Sequence, residues 1–167
     1  MMSNTNGPKQ TIGVLVENQP GVLSRVAGLF SGRGFNIESL TVAETIEPGL
    51  SRITLVTSGD PPILEQITKQ LNKLINVVKV IDFRETEFVN REMALIKVRA
   101  EPETRAEVLR IADIFRAQIV DVSPHFYTIE VTGEEGKITA ILELLQQFGI
   151  TELARTGKAA LARSKKR

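Results

Sequence analysis

The chain of 167 residues contains no cysteine. Disulfides, thiolate metal sites and a cysteine nucleophile are therefore excluded, and the absence lends weak support to a reducing compartment. Histidine occurs once, as His125, so no paired-histidine metal site can form. No apolar run approaches the ~20 residues of a membrane span. The opening MMSNTNGPKQ has no signal-peptide core, which makes a cytoplasmic protein the expectation. Acid is missing from one stretch: residues 157–167 carry Lys158, Arg163, Lys165, Lys166 and Arg167 against no carboxylate. Without those five cations, 16 basic residues face 20 acidic ones, a net charge of −4 beneath the overall +1. A basic tail could touch nucleic acid or an acidic partner, but a frayed, solvated terminus is the simpler reading.

A composition of 42% hydrophobic and 25% charged residues fits a soluble globular protein of one or two small domains. The stretch 17–40, ENQPGVLSRVAGLFSGRGFNIESL, organises the rest. It reads as a strand end, a sharp turn, a helix, a second turn and a new strand. Asn18 suits a helix cap, Pro20 has the φ of a first helical residue, and Gly21 permits close approach to the backbone. Val22, Leu23, Val26, Ala27, Leu29 and Phe30 then recur on one helical face until the glycines at 32 and 34.

Taken in order, residues 1–8 read as disordered and 9–17 as a strand. The helix follows, then strands over about 36–45 and 51–58. Asp60 suits the cap of a second helix marked by Ile63, Leu64, Ile67, Leu71, Leu74 and Ile75, and 77–83 closes the unit as a fourth strand. This βαββαβ order predicts a ferredoxin-like α+β layer of two helices on one antiparallel sheet. Leu15, Leu40, Val42 and Val56 are assigned to the face the helices do not cover, which either the second half of the chain or a second copy should bury. The same order repeats: a strand at 92–100, a helix at 101–117 with Pro102 at its start and Val108, Leu109, Ala112 and Phe115 in its core, strands at 118–122 and 126–131, a helix ended by Gly149, and a strand at 150–154. Two tandem modules are expected: a disordered 1–8, a first domain over 9–84, a second over 85–156 and the basic tail over 157–167.

Catalytic patterns are absent. Residues 133–139 miss the phosphate-loop spacing, with Val131 and Ile138 at the required glycine and hydroxyl positions. His125 has no serine or carboxylate pattern around it, and Glu17, Glu38 and Glu44 read as solvated acids at strand ends. RNA-binding modules of this element order stack bases on aromatics in their central strands, yet 11–16 and 51–57 contain none. What remains is the turn at 18–24. Helix N-termini attract carboxylates, the N–H groups of Gly21, Val22 and Leu23 would be available, and Asn18 and Asn36 could bind the polar groups of an amino acid. Val22, Leu23 and Ile37 would favour an aliphatic side chain. The simpler alternative is that Asn18 only caps a helix and Asn36 only begins a strand.

The run ENQPGVLSRVAGLFSGRGFNIESLTVA, with LSRITL, LEQITKQLNKLINVVKV, REMALIKV, IFRAQIVDVSP and TGKAALAR, closely resembles the small regulatory subunits of acetohydroxyacid (acetolactate) synthase over nearly the whole chain. The resemblance implies an N-terminal ACT domain that binds amino acids at a homodimer interface. It implies a non-catalytic subunit of branched-chain amino acid biosynthesis, which activates a catalytic large subunit and confers feedback inhibition by valine. That partner would use thiamine diphosphate, Mg2+ and FAD, with no cofactor or metal on this chain. Carried over by position, the effector site comprises Asn18, Gly21, Val22, Leu23 and Ser24 of one protomer and Asn36 and Ile37 of the other. Pro20 and Val22 stand where the family does not demand one residue, which leaves leucine and isoleucine as alternative effectors. A free-standing ACT-domain sensor acting on another partner is the alternative function.

Overall fold

The computed structural model describes residues 7–165. The expected disorder at 1–8 lies outside those residues up to residue 6, as does the end of the tail at 166–167. The chain divides into two compact units, 90–156 and the remainder.

The first unit runs β1 (Lys9–Glu17), α1 (Val22–Ser31), β2 (Ile37–Glu44), β3 (Leu50–Ser58), α2 (Pro61–Asn72) and β4 (Val77–Asp82). Its antiparallel sheet has the order β2-β3-β1-β4, the ferredoxin-like arrangement, with β2 and β4 at the edges. Ile12, Val14 and Val16 of β1 and Ile53 and Leu55 of β3 meet Val22, Val26 and Phe30 of α1 and Leu64, Ile67 and Leu71 of α2. Each such side chain contributes about 1.5–3 kcal/mol on leaving water. On the opposite face Thr11, Thr54 and Val56 are buried as well, and Leu15 is half-buried.

Several details depart from the sequence expectations. Leu40 pairs with Leu55 and Val42 with Ile53, which puts both on the helix side rather than the opposite face. The reason is a register shift between Ile37 and Ser39, which inverts the alternation beyond it. Leu23 is exposed rather than in the core, and Leu109 is exposed as well. Asp60 holds the N-cap position of α2 but its side chain makes no capping bond.

The second unit repeats the plan with β5 (Phe88–Arg99), α3 (Arg105–Ile114), β6 (Gln118–Val122), β7 (Phe126–Gly133), α4 (Glu135–Gln146) and β8 (Ile150–Arg155). Its strands lie in the order β6-β7-β5-β8 over a core of Ile96, Val98, Val108, Ile129, Ile138, Ile141 and Leu145. Pro102 lies in a turn ahead of α3, which begins at Arg105 and not at Glu101 as the sequence suggested. The chain thus consists of two ferredoxin-like modules in tandem.

The tail is a further correction. Residues 159–162 form β9 (Ala159–Ala162), and its Ala160 is buried. This segment groups with the first unit, where Gly157 lies against Leu40 and Thr41 of β2. The Arg163 N–H donates to the Glu87 carbonyl at 2.8 Å. Backbone contacts of this kind hold a charged segment that its composition alone would leave in solvent.

Candidate functional site

The turn between β1 and α1 is fixed by its backbone. Asn18 N–H donates to the Gly49 carbonyl at 2.8 Å, and Glu17 N–H to that of Asn76 at 2.9 Å. The β2–β3 hairpin and the segment before β4 therefore brace it from both sides. Helix α1 begins at Val22, with Gly21 at the N-cap position in the left-handed conformation, φ 84° and ψ −9°. A side chain at Gly21 would meet nothing within 4 Å, so the backbone angle and not crowding selects glycine. Neither expected capping role holds: Pro20 precedes the helix by two residues, and Asn18 does not cap it.

Asn18 instead donates its amide to Glu44 Oε1 at 2.7 Å. Val22 is buried in the core, and its N–H is taken by the Gln19 carbonyl at 3.3 Å. The N–H groups of Gly21, Leu23 and Ser24 have no partner among the described residues. They face solvent at the positive end of the helix, where a carboxylate is favoured. Of the two residues there expected to meet an aliphatic side chain, Leu23 is exposed beside these groups and Val22 is not.

Asn36 and Ile37 stand at the other end of α1. The Asn36 carbonyl accepts from Thr57 Oγ1 at 2.8 Å, and its side-chain amide has no partner among the described residues. Ile37 is half-buried against the core. The β-register fixes the separation: Ile37 lies opposite Thr57 at the end where β1 begins, and Glu44 opposite Ser51 where β1 finishes. A helix of 10 residues is about 15 Å long, so one chain does not bring Asn18 and Asn36 together.

The three acids read as solvated have separate partners. Glu17 Oε2 accepts from Asn76 Nδ2 at 2.9 Å, whose Oδ1 takes Arg25 Nη1 at 2.6 Å. Glu38 pairs with Lys9 at 3.2 Å, and Glu44 holds Asn18. Glu44 was not singled out as part of the site, and the signal for it is positional, since β2 places it beside the end of β1. In the second unit His125 Nδ1 meets Glu101 Oε2 at 2.9 Å, a carboxylate partner the sequence pattern did not suggest. That contact, with Arg99 beside it, holds the Glu101 carboxyl below its ordinary pKa. Ser123 Oγ is engaged in its own turn, donating to the Phe126 carbonyl at 3.1 Å, which leaves the pair without a nucleophile. No three His, Asp or Glu residues gather as metal ligands among the described residues.

Residues 12–79 match the family described as the AHAS small subunit-like ACT domain, and residues 91–164 the one described as the small subunit of acetolactate synthase. The chain belongs to the acetolactate synthase small-subunit family. It is 57% identical over 159 residues to the "Probable acetolactate synthase small subunit" of Archaeoglobus fulgidus, covering 95% of this chain and 99% of that one. It is 55% identical over 157 residues to the small subunit of Aquifex aeolicus, covering 93% and 81%. Among solved structures, the Thermotoga maritima small subunit superposes with a TM-score of 0.85 at 45% identity, covering 95% of this chain and 99% of the other. Asn18, Gly21 and Asn36 therefore lie in the ACT domain of a small subunit, at the two ends of its first helix.

Proposed function

We propose that this chain is the non-catalytic regulatory subunit of a cytoplasmic acetolactate synthase of branched-chain amino acid biosynthesis. It raises the activity of a catalytic large subunit and confers feedback inhibition by L-valine, with leucine and isoleucine as weaker alternatives. The chemistry belongs to the partner, which carries thiamine diphosphate, Mg2+ and FAD. The effector binds between two copies of the ACT domain.

The observation that carries this reading is the split of the polar groups. Asn18 with the free N–H groups of α1 lies at one end of the helix and Asn36 at the other, about 15 Å away, too far for one amino acid to span. Edge strand β2 connects the two ends, and an edge with no further strand on it among the described residues invites pairing with a second copy. Two-fold pairing along β2 would bring Asn36 and Ile37 of one protomer to the turn of the other. Valine would then be held by both chains, and its binding would favour one arrangement of the pair. A coupling of roughly 1–3 kcal/mol to the catalytic subunit would change affinity about 5- to 150-fold.

Thermal unfolding of the isolated chain tests the reading. L-Valine at 100 times its dissociation constant adds about 2.7 kcal/mol of native stability, a rise of several degrees, whereas L-lysine should add none. Gly21→Asp places a carboxylate where the effector's own would sit, and aspartate tolerates the left-handed angle of that position. The variant should still activate the catalytic subunit and lose the valine shift. Full valine sensitivity in Gly21→Asp would move the site elsewhere.

A further inference from the structure

We propose that Glu44 is the ammonium anchor of the effector site, so that the site selects a free amino acid over the corresponding 2-oxo acid. The inference rests on the effector-site reading above and names the group that reads one end of the ligand.

An amino acid carries its two charges on adjacent groups, and a selective site must answer both. The N–H groups of Gly21, Leu23 and Ser24 answer the carboxylate. They do nothing to distinguish an amino acid from a 2-oxo acid, which has the same carboxylate. Asn18 is neutral and both donates and accepts, so it discriminates poorly. A formal negative charge is needed, and three carboxylates lie on the strands around the site. Glu17 is occupied by Asn76, which in turn holds Arg25. Glu38, which the pairing would bring in beside Asn36 of the second copy, already has a cation in Lys9 at 3.2 Å. Glu44 touches Asn18 alone and has no cationic partner among the described residues.

Its placement suits the task. The Asn18 amide holds Glu44 Oε1 at 2.7 Å, which fixes the carboxylate beside the first turn and leaves Oε2 open. An ammonium group has three donors to give such an oxygen, and a charge-assisted bond is about twice as strong as a neutral one. A 2-oxo acid would present a carbonyl oxygen to the same carboxylate, acceptor against acceptor, and would be repelled. Glu44 thus contributes attraction toward one ligand and rejection of the other.

The test is calorimetric titration of the full chain with L-valine and with 3-methyl-2-oxobutanoate, for wild type and Glu44→Gln. Glutamine keeps the shape and the contact with Asn18 but removes the charge. Wild type should prefer valine, and E44Q should bind valine about tenfold more weakly while holding the 2-oxo acid as well as wild type or better. Because Glu44 is exposed, E44Q should fold normally, and an unchanged melting temperature without ligand verifies that. Equal weakening toward both ligands, or valine affinity within about twofold of wild type, would overturn the anchor while leaving the effector site in place. Failure of wild type to bind either ligand would overturn the effector site and the anchor with it.

Discussion

Asp82 shows how much one side chain can organise at the end of a strand. Its Oδ1 accepts from Gln10 Nε2 at 2.9 Å and from the Arg84 N–H at 3.0 Å, and Arg84 Nη2 reaches its Oδ2 at 2.7 Å. Burial pushes the carboxyl up in pKa, but the bonds and charge of Arg84, aided by Gln10, outweigh it and hold the group below its ordinary value. A carboxylate depressed by folding stabilises the fold above its unfolded pKa, and that contribution is lost as pH falls through the lower folded value. Asp82→Ala should therefore cost about 1–3 kcal/mol in urea unfolding at pH 7, since it also strips the buried Gln10 amide of its acceptor. The gap between variant and wild type should begin to narrow below about pH 3.9, where the unfolded carboxyl takes up its proton, and close further as pH falls through the lower folded value, because only the wild type has this charge to lose. A gap independent of pH would mean that the carboxylate acts by shape alone. Glu44 illustrates the other use of an acid, left without a cation among the described residues.

At the scale of elements, the C-terminal strand depends on a close approach. A Cβ on Gly157 would stand 2.5 Å from Thr41 Oγ1 and 3.0 Å from the Leu40 carbonyl carbon, so only glycine fits without displacing β2. Gly157→Val should lower the melting temperature of the chain by several degrees through overpacking of about 1–3 kcal/mol. A conservative surface change such as Lys165→Gln should leave it unmoved, and equal melting of G157V and wild type would show that the segment is not held there. The sequence could not announce this strand. Ala159, Ala160 and Ala162 carry little hydrophobic signal, and the bond from Arg163 N–H to Glu87 is made by backbone. What was legible is whatever repeats: Val22, Val26 and Phe30 mark the buried stripe of α1, and the βαββαβ order emerges twice from such stripes and their glycine stops. Leu23 fits the same spacing yet is exposed, because a helix lying on one sheet buries a narrow stripe. Leu40 and Val42 were misplaced by a single irregularity after Ile37, which an alternation rule cannot see. The residues of the turn could be picked out because Gly21 and Asn18 are unusual in their neighbourhood. The bond from Asn18 to Glu44 could not, since it joins residues 26 apart through the register of three strands.

On the proposed function the effector groups of the molecule lie in two halves, and that division has a consequence for mixed assemblies. In a two-fold dimer each site would take Asn18 from one protomer and Asn36 from the other. Asn18→Ala and Asn36→Ala would then each damage both sites of their own dimer. When the two variants are mixed in equal amounts and allowed to exchange subunits, about half of the dimers should be mixed. A mixed dimer pairs the intact Asn18 of one chain with the intact Asn36 of the other at one site, and concentrates both defects in the second. Titration with L-valine should therefore recover tight sites at about a quarter of the wild-type number, although neither variant alone shows any. Were the groups to act within one chain, mixing would restore nothing, because no chain in the mixture holds both asparagines. Were only one asparagine to matter, its unaffected counterpart would bind at full stoichiometry before mixing. The quarter-site result thus separates a shared site from either alternative, and it does so with side-chain changes that leave the backbone and the edge strands untouched.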